Sequence, residues 1–143
     1  MRPRQPRRVM SGSVLVDTSA WVEFFRHGTG DVAGEVARLV SERRAAVCGP
    51  VAAELLRGAK GKREKKVLED LLEVAPWLGV EEPDWLAAGR LGRKLARGGA
   101  WPGLVDLVIA AAAIRSGVPV LTLDKHFAAI AAVSKLALHS EQV

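Results

Sequence analysis

Four carboxylates in this chain stand where acids are costly. Asp17 closes the apolar run Val14-Leu15-Val16 and is followed by the hydroxyls of Thr18 and Ser19. Glu54 lies between Val51-Ala52-Ala53 and Leu55-Leu56. Asp106 sits inside Leu104-Val105-Asp106-Leu107-Val108-Ile109-Ala110, and Asp124 follows Val118-Pro119-Val120-Leu121-Thr122-Leu123. Carboxylates gathered together repel, which raises their pKa values and costs stability. Such a site needs cations. Oxygen donors with neither Cys nor a paired His among them suit Mg²⁺ or Mn²⁺. Two such ions about 4 Å apart can activate a water and stabilise the leaving oxygen of a phosphodiester during in-line attack. Acids in a crevice with basic residues outside it point to a metal-dependent nuclease.

Each acid also has a plainer reading. Asp17 and Asp124 could be helix N-caps. Asp106 could face the positive end of its helix, and Glu54 could pair with Arg57 three residues on. What argues for a shared site is that all four fall at a strand end or in the first turn of the next helix.

The elements that position them alternate along the chain. Strands are expected at residues 13–16, 45–48, 77–80, 118–123 and 136–138. Helices are expected at 20–26, 31–44, 50–57, 63–74, 83–97, 104–115 and 124–132, on apolar spacing, Pro50 near a helix start and Gly117 after a helix end. Strands alternating with helices predict α/β architecture, a mostly parallel sheet covered on both faces. Ligand crevices in such sheets lie beyond the carboxyl ends of the strands, which is the edge the four acids share.

The 143 residues suit one domain with a core of its own. Residues 1–12, rich in arginine, are expected to be a flexible basic extension, and 13–143 a single domain. No apolar run approaches the ~20 residues of a membrane span, and nothing after the basic start serves as a signal-peptide core. Cys48 is the only cysteine, which excludes an intrachain disulfide and suits a reducing, cytoplasmic setting. The net charge of +5 favours polyanionic partners.

The four acidic segments also resemble a known family. Leu15-Val16-Asp17-Thr18-Ser19-Ala20-Trp21 resembles the opening motif of PIN domains, specifically of VapC-type toxins of toxin–antitoxin (VapBC) pairs. The stretches 51–58, 105–113 and 117–127 are similar to the second, third and fourth motifs, in order and at suitable spacing. The resemblance implies a three-layer α/β/α sandwich and a Mg²⁺- or Mn²⁺-dependent endoribonuclease. It implies that Asp17, Glu54, Asp106 and Asp124 are catalytic and hold the metal, with Ser19 as the hydroxyl beside them. It further implies a homodimer, a transfer or ribosomal RNA substrate, and a cognate VapB-type antitoxin that silences the enzyme. Two departures are the arginine-rich extension and the run Ala110 to Ala113, where the third motif often carries a hydroxyl.

The same residues admit other readings. An Asp-nucleophile phosphatase would use Asp17 but wants a second Asp two residues on, where Ser19 stands. A PIN-like module that binds RNA without cutting it would not need four intact acids. His27, His126 and His139 are scattered, and His126 reads as a solvent-facing neighbour of Asp124 rather than a catalytic base. Trp21, Trp77, Trp85 and Trp101 read as core or dimer-interface residues, Trp101 being the one to test against RNA. Lys60, Lys62, Arg63, Lys65 and Lys66 read as a solvated face with a side role toward phosphates.

Overall fold

Val14–Val16 is the strand on which the sheet is built. All three residues are buried, as befits a strand covered on both faces. The computed structural model describes residues 7–140. Its strands are β1 (Arg7–Arg8), β2 (Val14–Val16), β3 (Ala45–Cys48), β4 (Pro76–Leu78) and β5 (Val120–Leu121). Its helices are α1 (Thr18–Arg26), α2 (Asp31–Ser41), α3 (Gly49–Gly58), α4 (Gly61–Val74), α5 (Glu82–Arg97), α6 (Leu104–Ser116) and α7 (Lys125–Ala132).

The strands form one sheet in the order β1-β4-β3-β2-β5, and each pairing is parallel. From β2 the chain moves outward through β3 and β4, then returns to lay β5 on the other side of β2. Leu15 pairs with Ala46 on one side and with Val120 on the other. This reversal leaves a crevice at the carboxyl ends of β2 and β5, the usual place for a ligand in an open α/β sheet. The helices fall into two sets, α1 to α4 and α5 to α7, which gives the three-layer α/β/α sandwich.

α6 is apolar nearly all round, and Leu107 to Ala113 are all buried. A helix of that kind belongs inside the molecule. It packs most heavily on α5, where a Cβ on Gly92 would come within 2.9 Å of Leu107 Cδ1, so this glycine permits the approach. α6 ends at Gly117 in the left-handed conformation, φ +66°, which satisfies its last carbonyls. The helix thus starts with Asp106 held in its first turn.

Several boundaries differ from expectation. The strand expected at 118–123 is only Val120–Leu121, because Thr122 and Asp124 turn their polar groups into the crevice. The strand expected at 136–138 is a single parallel bridge, Val120 to Leu138. The helix expected to reach residue 44 stops at Ser41, where Arg43 takes φ +59° to redirect the chain into β3. Pro76, expected only to stop a helix, also opens β4, a strand position that tolerates a missing N–H. Arg7–Arg8, expected within a flexible extension, pairs with Pro76 and Trp77 at the sheet edge; residues 1–6 of that extension lie outside the described residues.

Candidate active site

Asp17 is buried, at 5% exposure, immediately after β2. It occupies the N-cap position of α1, yet its side chain makes no capping bond. Its Oδ2 instead accepts hydrogen bonds from Ser19 Oγ and Thr122 Oγ1, each at 2.9 Å. The plain helix-cap reading of Asp17 therefore fails. Asp17 N–H donates to Leu121 O, so β2 and β5 hold the carboxylate between them.

The Thr122 hydroxyl links two of the acids. It donates to Asp17 and accepts the backbone N–H of Asp124 at 2.9 Å. Ser19 Oγ accepts the Leu123 N–H at 2.9 Å. Two hydroxyls thus tie the end of β2 to the loop after β5. On the other flank, Thr18 Oγ1 donates to Glu54 Oε1 at 2.9 Å. Glu54 makes no ion pair with Arg57 among the described residues, so that reading fails too. Asp124 is a true N-cap of α7, its Oδ1 accepting the His126 N–H at 2.9 Å.

Asp106 shows the electrostatic state of the crevice. Burial, first, and then the negative charges of Asp124, Asp17 and Glu54 push its carboxyl up to about 6, with His126 opposing them. The other three predicted acids therefore all act on Asp106. Among the described residues, no lysine or arginine forms an ion pair with any of the four. Cys48, buried at the end of β3, feels the same field: burial, aided by Asp17 and Glu54, pushes its thiol up to about 12. Such a thiol is inert at neutral pH.

A divalent cation fits this donor set. The carboxylates supply hard oxygen ligands and leave their negative charge unbalanced. Ligand atoms of Asp106, Asp124 and His126 lie within 4.8 Å of one another. Asp17 and Glu54 are not members of this close group and reach Asp106 only through their charge.

Sequence reasoning missed Thr122 and undervalued His126. The signal for Thr122 was its place two residues before an acid at a strand end. His126 is half exposed, as expected, but its Nδ1 faces the acids at 3.3 Å from Asp124 Oδ1 and 3.9 Å from Asp106 Oδ2. Among the tryptophans, Trp21 is core and Trp77 is partly buried, its Nε1–H donating to Leu72 O. Trp85 and Trp101 are exposed and belong to no core.

Comparison with known proteins decides the family. Residues 14–133 match the PIN domain. The chain belongs to the PIN-domain family. It is 41% identical over 128 residues to Ribonuclease VapC11 of Mycobacterium tuberculosis and equally to a VapC ribonuclease of Mycobacterium bovis, alignments that cover 86% of this chain and 95% of each relative. That identity sets it among the VapC ribonucleases. Solved structures with the same fold include VapBC of Salmonella typhimurium bound to DNA, with a TM-score of 0.72 at 20% identity over 89% of this chain and 96% of that one. VapC20 of Mycobacterium tuberculosis, a toxin that cleaves the sarcin–ricin loop, aligns with a TM-score of 0.61 at 21% identity over 82% and 94%. The PIN-domain match spans all four acidic positions and begins after Arg7–Arg8, so β1 lies outside it.

Proposed function

We propose that this PIN-domain ribonuclease cuts unpaired segments of transfer or ribosomal RNA at a Mg²⁺ or Mn²⁺ centre held by Asp17, Glu54, Asp106 and Asp124. The observation that carries this reading is a partly buried Asp106 facing three other acids, none paired with a lysine or arginine among the described residues: burial, and then their charges, push its carboxyl up to about 6. Bound there, a divalent cation would supply Lewis-acid stabilisation of the phosphoryl oxygens and an activated water. The chain's own residues do the rest. Ser19 and Thr122 donate to one oxygen of Asp17 and fix its orientation, leaving the other free for the crevice. Thr18 does the same for Glu54. Unpaired loops suit the site because their phosphates and bases are accessible, as those of a duplex are not.

The basic exterior would hold the RNA backbone. Lys60, Lys62 and Arg63 are exposed at the start of α4, the helix that follows α3 and Glu54. Lys65 and Lys66 are partly committed to Glu69 and Asp70 on the same helix. The protein is a toxin restrained by a VapB-type antitoxin, whose arginine would satisfy the acidic pocket by bidentate pairing. Exposed Trp101 and Leu104 near the start of α6 support a homodimer. The reduced single cysteine and the RNA substrate suit the cytoplasm. Among the described residues, no helix is long and apolar enough to cross a membrane.

The test is cleavage of end-labelled small RNA by antitoxin-free protein in Mg²⁺, Mn²⁺ or EDTA, beside Asp17→Asn and Asp106→Asn. Discrete fragments that need metal and vanish in both variants are expected. Fragments that persist in both variants would refute the four-carboxylate centre. RNA binding without any turnover would favour the non-cleaving module.

A further inference from the structure

His126 is the one nitrogen donor facing the acidic crevice among the described residues. It is the second residue of α7, and its backbone N–H is already fixed on Asp124 Oδ1 at 2.9 Å. That bond anchors the base of the side chain beside the carboxylates. The ring then brings Nδ1 to 3.3 Å from Asp124 Oδ1 and 3.9 Å from Asp106 Oδ2. Neither approach is a hydrogen bond, and the His126 ring makes no other among the described residues. The imidazole therefore points a nitrogen at two carboxylates without a hydrogen bond to either.

These separations have a natural meaning. Two donors each about 2.1 Å from one octahedral ion stand about 3.0 Å apart when adjacent and about 4.2 Å apart when opposite. The distances of 3.3 and 3.9 Å lie inside that span. By contrast, His139 Nε2 is taken up by Glu35 at 2.5 Å, and His27 lies 4.0 Å from Glu23 at the far end of α1. Position, anchoring and the free ring nitrogen distinguish His126 from both.

We infer that His126 supplies a nitrogen ligand, through Nδ1, to the cation held by Asp106 and Asp124, and that this biases the centre toward first-row transition ions over Mg²⁺. The inference rests on the proposal that these carboxylates hold a divalent ion. The physical reason for the bias is donor character. Mg²⁺ prefers oxygen and holds its water tightly, whereas imidazole favours the later ions in the order Mn²⁺ to Co²⁺ and beyond. A ring nitrogen in an otherwise all-oxygen site raises the affinity for Co²⁺ most, for Mn²⁺ less and for Mg²⁺ least. The half exposure of His126 leaves the remaining positions open to water and to a phosphate of the substrate.

The experiment uses the full chain, stripped of metal, with Mg²⁺, Mn²⁺ and Co²⁺ titrated separately by calorimetry. Wild type is compared with His126→Ala, His126→Asn and Asp106→Asn. His126→Ala is expected to weaken Co²⁺ and Mn²⁺ by about tenfold or more while Mg²⁺ changes by less than about threefold. His126→Asn, which offers an amide oxygen, should keep Mg²⁺ and lose the preference for Co²⁺. Electron spin-echo spectra of Mn²⁺ on the wild-type protein should show coupling to a histidine nitrogen, a readout that needs no variant to fold. Ion binding that depends on Asp106 but shows no nitrogen coupling, with equal losses for all three ions, would overturn the role of His126 alone. Ion binding that is absent, or indifferent to Asp106→Asn, would overturn the metal reading beneath it.

Discussion

Two regions of this molecule bury carboxylates, and they do so in opposite ways. Asp84, 1% exposed in the first turn of α5, is gripped by Arg115 from the end of α6. Arg115 Nε donates to Asp84 Oδ1 at 2.8 Å and a terminal nitrogen to Oδ2 at 3.0 Å, while Glu81 lies 2.6 Å from another guanidinium nitrogen. Burial pushes the Asp84 carboxyl up. The Arg115 hydrogen bonds, the Glu81 backbone N–H and the guanidinium charge outweigh it, and the net shift is downward. Glu35 repeats the pattern in α2, where Arg38 and His139 bring its carboxyl down to about 2 despite its burial. In the crevice at the ends of β2 and β5 no lysine or arginine among the described residues pairs with the acids, only His126 opposes them, and Asp106 moves the other way, up to about 6. Burial is common to both regions, so burial does not explain the difference. Counter-charge does. Among the described residues, the chain pairs Asp84 and Glu35 with arginine and leaves the crevice acids without one, an arrangement that suits a ligand there.

The sharpest way to break this comparison is to remove charge from the crevice. Asp17→Asn should lower RNA cleavage by about a thousandfold, the scale of losing a key transition-state contact, with the circular-dichroism spectrum unchanged. A loss of less than tenfold would strip Asp17 of its role. Next in size, Arg115→Ala should destabilise the fold by about 2–3 kcal/mol, since it strands a buried Asp84. Urea midpoints measure this, and a change within error would show that the pair is dispensable.

Asp106→Asn should do the reverse in metal-free protein. The folded carboxyl titrates near 6 and the ordinary value is 3.8, so the folded state binds the proton more tightly between those values. This stabilising effect of protonation is complete below pH 3.8 and is lost as pH rises through 6. At pH 7.5 the charged form is therefore a burden that Asn removes, worth at most about 3 kcal/mol at roughly 1.4 kcal/mol per pKa unit. Thermal melts in EDTA at pH 7.5 and pH 4 should show the variant ahead at the first and level at the second. A variant less stable at pH 7.5 would mean that the acids are not in conflict.

A divalent ion should relieve the same conflict. At ten times its dissociation constant it adds about 1.4 kcal/mol to the wild type, and the melting shift should shrink in Asp106→Asn. The smallest effect belongs to the exposed α4 pair. Lys66→Ala removes a solvent-screened contact to Asp70 and should leave the melting midpoint where it was, while the salt dependence of RNA binding becomes slightly shallower.

Much of the site is legible in the chain because the acids end or follow apolar runs. The run Val14-Leu15-Val16 followed by Asp17 needs no neighbours to be read as a buried strand delivering a charge. Asp106 is legible in the same way, as the single acid of a helix apolar nearly all round. Thr122 was less legible: residues 118–123 read as one unbroken strand, whereas the strand ends at Leu121 so that Thr122 can reach Asp17. Asp84 and Glu35 were not legible at all. Nothing in their own segments shows that Arg115, 31 residues on, or His139, 104 residues on, will come to meet them.

The sequence by itself determined most of the strand and helix segments, an acid just past the end of a strand at Asp17, acids within apolar helices at Glu54 and Asp106, and membership of the PIN-domain family. These follow from local periodicity and from residue order, which need no folded partner. Only the tertiary structure decided that β5 lies beside β2 rather than outside β4, and therefore that Thr122 binds Asp17 and His126 faces Asp106. It alone decided which buried acids gain an arginine and which are left to one another. The physical reason is that pairing across the sheet and between helix layers is a long-range choice, made by the packing of the whole core, while each segment's pattern reports only on itself.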